Sequence, residues 1–260
     1  MEKVEAYRHR FRVRSYEVGP EELLNPWSLL HWLQETAVNA SAARGFDMER
    51  YRGLGTAWVL RRWRVQVDRL PAEGEAVVIR TWVSMFQGSR SHREFVMESE
   101  AGGVWGCAQA EWVYMDRIRR RPVRVDAELQ RGFQASLGTL AMPAEAAGWL
   151  EGGCLDEDKP TVGVGLNGLV CRSDLDSWDH VNQAAYVRWV LDESEGRIAG
   201  FRGCHVHYMR ETRVGDRVRI RPLRWTGPDA PWGAQVELQG GEGQWQPAVR
   251  VAVRWAEADT

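Results

Sequence analysis

One local pattern occurs twice in this chain, and a duplicated unit restricts the possible folds more than any bulk property. Asn25, Leu29 and Trp32 recur at the same spacing as Asn182, Tyr186 and Trp189. Each asparagine is a good helix N-cap, and apolar residues follow at helical spacing: Leu29, Leu30, Leu33 and Ala37 after Asn25, and Tyr186, Val187, Val190 and Leu191 after Asn182. Pro26, at the first helical position, strengthens the first cap. An Arg-Ser pair precedes each helix, Arg14-Ser15 and Arg172-Ser173. Downstream, the spacing from Val65 to Gly74 and Glu75 equals that from Val206 to Gly215 and Asp216, which aligns Arg69 with Arg210 and sets Leu70 opposite Glu211. The competing explanation is chance similarity between two strand-rich halves.

The elements around these anchors repeat in order. Stretches rich in β-branched and aromatic residues, bounded by glycine or charged turns, predict strands over 7–15, 58–67, 76–86, 92–98 and 104–115 in the first half. The second half offers 162–171, 204–210, 217–225, 234–238 and 248–255. Each half thus reads strand, helix, four strands. A long helix followed by an antiparallel run predicts an α+β chain of two tandem hotdog units, each a curved antiparallel sheet wrapped round a long helix so that helix and sheet bury each other's apolar face. Two copies in one chain would pair internally, like a fused dimer. The expected limits are 1–125 for the first unit, 126–160 for a linker and 161–260 for the second unit. The basic, then Ala-, Gly- and acid-rich connection carries one short helix over 126–133.

Composition excludes several classes. A formal charge of −2 over 260 residues argues against bulk binding to nucleic acid or anionic membrane. No apolar run reaches the length of a membrane span, and the charged start is not a signal peptide, so a soluble, cytoplasmic protein is expected. Cys107, Cys154, Cys171 and Cys204 form no CxxC pair, which predicts reduced thiols. Lys3 and Lys159 are the only lysines and lie at poor positions for a buried reactive amine, which disfavours Schiff-base chemistry. The tryptophans, 14 in all, suit a core or a wide apolar pocket.

Chemistry concentrates ahead of the second helix. Asp176 and His180 fall in the loop that feeds its N-terminus, and Glu211 lies near the end of the strand that follows, within reach if that strand returns beside the loop. Two carboxylates flanking an imidazole can orient the ring, deprotonate water and protonate a leaving group. Helix capping explains Asp176 and Asp179 equally well, and Glu211 could be an ordinary turn charge before Arg213; Leu70 at the equivalent place in the first copy favours the functional reading. The run from Gly163 to Gly168 satisfies GxGxxG, but no helix follows it, so a dinucleotide fold is rejected. His205 and His207 share a strand face without a third ligand, and read as part of a partly exposed strand; no metal is expected. The basic run from Arg117 to Arg124, with Arg119, Arg120 and Arg121 at its centre, suits either solvated surface or an acidic partner.

These residues together resemble the acyl-acyl carrier protein thioesterases of plant plastids and bacteria. The likeness rests on Arg172 to Asp176, on His180, Val181 and Asn182 with Tyr186 and Trp189, and on Tyr208 to Glu211. In the first half it rests on Tyr16 and Glu17, Leu33 to Ala37, Trp58 to Leu60, Trp112 to Asp116 and Arg119 to Pro122. The resemblance implies Asp176, His180 and Glu211 as catalytic residues and an acyl chain held by the first half; Trp178, Asn182, Arg119, Arg120 and Arg121 are expected to bind substrate. It implies hydrolysis of acyl thioesters on the phosphopantetheine arm of acyl carrier protein, without cofactor, and leaves room for a homodimer. A backbone amide near His180 to Asn182 is expected to stabilise the oxyanion. The family pattern has asparagine two residues before the histidine, where this chain has Trp178, so an amide gives way to an indole with one donor. That departure keeps other readings open: an acyl-CoA thioesterase or enoyl-thioester hydratase of the same fold, or an acyl-thioester-binding protein with a decayed site.

Overall fold

The computed structural model describes residues 6–133, 138–142, 153–164, 168–194, 198–226, 230–241 and 243–256. The chain divides into two compact units, Met1–Ala146 and Ala147–Thr260. In the first, β1 (Tyr7–Arg12) leads through a 3-10 turn, Ser15–Glu17, into the long helix α1 (Pro26–Ala42) and the short helix α2 (Met48–Gly53). Then come β2 (Thr56–Val67), β3 (Ala76–Gln87), β4 (Arg90–Ser99), β5 (Val104–Asp116), the two-residue β6 (Arg121–Pro122) and α3 (Ala127–Gly132). The strands form an antiparallel sheet in the order β1-β3-β4-β5-β2, with β6 on β5.

The sequence explains the layering. Along β1 the rings of Tyr7, His9 and Phe11 alternate with exposed Arg8, Arg10 and Arg12, the period-2 pattern of a strand with one covered face. Phe11 stacks on Trp32 of α1, ring centroids 4.7 Å apart, and α1 lies across β1 and β3. Leu29, Leu30 and Leu33 are fully buried on that helix face. Each such burial stabilises by roughly 1.5–3 kcal/mol, far more than helix propensity supplies, so packing rather than local preference holds α1. Gly106 on β5 has no room for a side chain, since a Cβ there would sit 2.8 Å from the Gln66 carbonyl oxygen across the ladder.

The second unit holds β7 (Cys154–Leu155), β8 (Val162–Gly163), a 3-10 turn at Arg172–Asp174, α4 (Gln183–Asp192), β9 (Phe201–Tyr208), β10 (Val218–Arg224), β11 (Trp232–Gln239) and β12 (Trp245–Trp255). Its antiparallel order is β7-β10-β11-β12-β9, with β8 also on β10. That is the order of the first sheet, and α4 covers β11 and β12.

Several expectations change in detail. Asn25 stands at the N-cap of α1 without a side-chain cap bond, whereas the Asn182 side chain accepts from the Ala184 N–H at 2.9 Å. α2, capped by Asp47 on the Arg50 N–H at 2.8 Å, was not anticipated. The strand expected over 162–171 is short: only Val162 and Gly163 form a described strand, followed by a bridge from Leu169 to Arg217. Residues 165–167, inside the glycine-rich run, lie outside the described residues, as do 134–137 and 143–152 of the expected connection. Two pieces of that connection belong to the units themselves, one to each. Leu129 and Phe133 pack with Phe46, Tyr51 and Tyr114 in the first core, and β7 pairs with β10.

Candidate active site

The loop before α4 is a closed turn. Leu175 and Val181 form an antiparallel bridge, the Asp176 N–H donates to the His180 carbonyl at 2.8 Å, and the Asp179 N–H to the Asp176 carbonyl at 3.2 Å. Asp179 takes φ = 62°, the left-handed region that aspartate tolerates better than most residues. Asp174 anchors the turn: its side chain accepts the Cys171 N–H at 2.9 Å, its carbonyl accepts the Asn182 N–H at 2.7 Å, and it is ion-paired to Arg188 of α4. The return after β9 closes the other side, where the Val181 N–H donates to the Thr212 carbonyl at 2.9 Å. This contact brings 180 and 211–213 together from distant parts of the sequence.

The same turn exists in the first unit. Val18 bridges Leu24, the Glu22 N–H donates to the Gly19 carbonyl at 3.0 Å, Glu22 takes φ = 57°, and the Asn25 N–H donates to the Glu17 carbonyl at 2.9 Å. Glu17 accepts the Arg14 N–H at 3.0 Å, and the Leu24 N–H donates to the Pro71 carbonyl at 2.9 Å. Bond for bond, Gly19 corresponds to Asp176, Leu23 to His180, Leu70 to Glu211 and Ala72 to Arg213. The anchoring carboxylates also correct the sequence alignment by one residue: Arg14 matches Cys171, so the two Arg-Ser pairs are not equivalent.

On the second turn the side chains converge. His180 Nε2 lies 3.4 Å from Glu211 Oε2 and 3.2 Å from Arg213 Nη2. His180 and Trp178 are half-buried and Glu211 is exposed. Asp176 Oδ1 accepts the Trp178 N–H at 2.8 Å and the His180 N–H at 3.4 Å, so this carboxylate also braces the loop. The expected oxyanion amide is not available among His180 to Asn182. Their N–H groups go to Asp176 Oδ1, the Thr212 carbonyl and the Asp174 carbonyl, because the turn needs all three to close. The Asn182 side-chain oxygen is committed to the helix cap.

Behind the turn, Tyr186 and Thr212 share a short hydroxyl hydrogen bond, and burial pushes the Tyr186 phenol up to about 12. Tyr208, also buried, is raised well above the ordinary phenol range and donates to the Gln183 carbonyl at 3.0 Å. Both phenols therefore stay protonated near neutrality. His205 is buried on β9, against the partly exposed strand expected, and among the described residues no group of three His, Cys, Asp or Glu side chains could hold a metal. Arg119, Arg120 and Arg121 sit far along the sequence from this loop, on the exposed β5–β6 hairpin; Arg119 is 3.5 Å from Asp116, and Ile118 between them is 87% exposed. Sequence reasoning missed Arg213 and the Asp174–Arg188 pair; a residue-by-residue comparison of the copies marks the first, since Ala72 stands in its place.

A helix laid across an antiparallel sheet of this order is a hotdog unit, and the chain contains two. Over nearly its whole length the fold matches solved structures: a 12:0-ACP thioesterase from Umbellularia californica, TM-score 0.78 at 22% identity with 96% of each chain covered, and an acyl-ACP thioesterase from Bacteroides thetaiotaomicron, TM-score 0.74 at 20% identity with 96% of this chain and 97% of that one. The family model of the acyl-ACP thioesterase N-terminal domain matches residues 4–133, and that of the C-terminal domain residues 165–256. The chain belongs to the acyl-ACP thioesterase family. Among curated relatives, a chloroplastic palmitoyl-acyl carrier protein thioesterase from Gossypium hirsutum is 31% identical over 200 residues, 72% of this chain and 47% of its own length. A chloroplastic oleoyl-acyl carrier protein thioesterase 2 from Arabidopsis thaliana is 31% identical over 231 residues, 84% of this chain. The chain spans 63% of that second relative, so it covers about half to two thirds of their length.

Proposed function

We propose that this protein hydrolyses fatty acyl thioesters carried on acyl carrier protein, releasing free fatty acid. Family membership supports the activity, and one observation carries the site. A single turn geometry is built twice, with Gly19, Leu23 and Leu70 in one copy and Asp176, His180 and Glu211 in the other. Since the first copy closes with no carboxylate or imidazole at these three positions, the turn does not require them there, and their presence in the second calls for another role.

In this reading His180, with Glu211 beside it, takes a proton from water while the water oxygen attacks the thioester carbonyl carbon. The C–S bond then breaks, and the proton returns to the departing phosphopantetheine thiolate. Asp176 Oδ1 accepts two backbone N–H groups, which fixes this carboxylate beside the loop. Trp178 and Asn182 border the reacting groups, and the first unit takes the acyl chain. The exposed Arg119, Arg120 and Arg121 steer the acidic carrier. Homodimeric assembly and a cytoplasmic location belong to the same proposal; no helix among the described residues is long and apolar enough to cross a membrane.

The decisive experiment is a panel of acyl-ACP and acyl-CoA substrates with detection of free thiol. Hydrolysis of acyl-ACP with higher kcat/KM than the matched acyl-CoA supports the proposal, and acyl-thioester binding without thiol release refutes it. Charge reversal at Arg119, Arg120 and Arg121 should raise KM for acyl-ACP and flatten its salt dependence, with little change on a small acyl thioester. Equal losses on both substrates would remove the hairpin from the docking surface.

A further inference from the structure

We infer that Arg213 is a positioning residue that selects the His180 tautomer with Nε2 unprotonated; this rests on the reading of His180 as the base. Arg213 Nη2 stands 3.2 Å from His180 Nε2. A guanidinium stays protonated and has no acceptor, so a hydrogen bond between these atoms requires Nε2 to offer its lone pair. The imidazole is then neutral with its proton on Nδ1. Glu211 Oε2, 3.4 Å from the same nitrogen, favours the opposite arrangement, a proton on Nε2 facing the carboxylate. The two contacts compete for one atom, and the shorter belongs to arginine.

Arg213 is well placed to win. Its backbone N–H donates to Asp216 Oδ2 at 2.8 Å, and the Asp216 N–H donates back to the Arg213 carbonyl at 3.1 Å, which fixes the turn carrying the side chain. The charged neighbours of the imidazole are therefore Glu211 and Arg213 on the return loop, with Asp176 and Asp179 on its own turn. Position 213 is no accident of a surface loop. In the first unit Leu23 bridges Ala72 in the register that sets His180 against Arg213 in the second. An apolar pair has thus become an imidazole–guanidinium pair at one place in the duplicated frame. Because Nε2 has a single lone pair, the Arg213 bond must open before water can offer its proton there; the new N–H then faces Glu211, and the cycle ends when that proton passes to the thiolate.

The test reads the nitrogen directly. With 15N-labelled histidine at mildly alkaline pH, and the signal assigned by its loss in His180→Gln, Nε2 of His180 should resonate as an unprotonated acceptor in the parent and shift towards the protonated form in Arg213→Ala. Arg213→Lys, which keeps a charged donor, should restore most of the parent signal. On acyl-ACP, Arg213→Ala should lower kcat by about 10- to 100-fold with KM within about threefold, part of the range for disabling a general base, and Arg213→Lys should recover part of it. A parent Nε2 already protonated, or a signal indifferent to Arg213→Ala in a folded variant, overturns the inference. If the parent hydrolyses no acyl thioester, the proposed activity fails, and the nitrogen signal still decides the role of Arg213.

Discussion

The turn over residues 17–25 and the turn over residues 174–182 share one backbone and differ in what they display. Both close on an anchoring carboxylate, a left-handed acidic residue and an N–H donated to the returning loop. The first presents Gly19, Leu23, Leu70 and Ala72, and the second Asp176, His180, Glu211 and Arg213. Shape and chemistry are therefore separable here: the anchor residues build the turn, and the displayed residues can change without loss of it. The anchors differ too. Glu17 accepts the indole N–H of Trp32 at 2.8 Å, whereas the buried Asp174 is ion-paired to Arg188.

Converting the second turn to the first is the strongest test of that separation. His180→Leu should lower kcat by about 10²- to 10⁴-fold, Glu211→Leu should act in the same direction, and Asp176→Gly should leave the turn closed. Circular dichroism and melting temperature should stay near those of the parent throughout. Collapse of the fold in these variants would mean that the second turn, unlike the first, needs its polar groups.

The anchors should show the reverse behaviour. Asp174→Ala removes the acceptor of the Cys171 N–H and leaves Arg188 without its carboxylate, a cost of about 2 kcal/mol. Glu17→Ala should cost about 1 kcal/mol, since Glu17 itself is less buried than Asp174. Denaturant titration measures both, and equal losses would erase the distinction between the anchors.

Trp178 occupies the place of Glu21 in the first turn, and of asparagine in the family pattern. Trp178→Asn places a side-chain amide beside His180 and should raise kcat by up to about tenfold, or about 1.4 kcal/mol of barrier. A higher KM at unchanged kcat would instead mean that the indole packs on the substrate.

The smallest effect concerns acid. The Arg69 guanidinium, hydrogen-bonded to Glu75 at 2.8 and 2.5 Å, holds that carboxyl below its ordinary value. Its stabilisation is present above the unfolded carboxylate value and is lost as pH falls through the depressed folded one. Glu75→Gln should therefore destabilise by up to about 1 kcal/mol at neutral pH, and the difference from the parent should vanish in acid.

Much of the fold was legible because its signals are local. The period of 2 in β1 and the helical spacing after Asn25 and Asn182 follow from which face each residue must bury, and the sheets bear them out. What failed was short or cooperative. α2 depends on a single turn capped by Asp47, and the strand expected over 162–171 had apolar residues but little ladder to join. The candidate site was half legible: Asp176 and His180 stand four residues apart, and Glu211, distant in sequence, stands out through its contrast with Leu70 and through the family resemblance. Arg213 looked like one more surface arginine, because nothing in sequence says that its turn returns to His180.

By itself, then, the sequence determined the duplicated frame: two capped helices, each with its apolar stripe, two sets of alternating strands, and polar residues gathered in one copy. These depend on periodicity and capping, which act over a few residues. Tertiary structure alone decided which atoms meet. The Val181 N–H bond to the Thr212 carbonyl carries Glu211 and Arg213 to opposite claims on one imidazole nitrogen. The same closure takes up the N–H groups of His180 to Asn182, because each of them closes the turn and is no longer offered to a substrate.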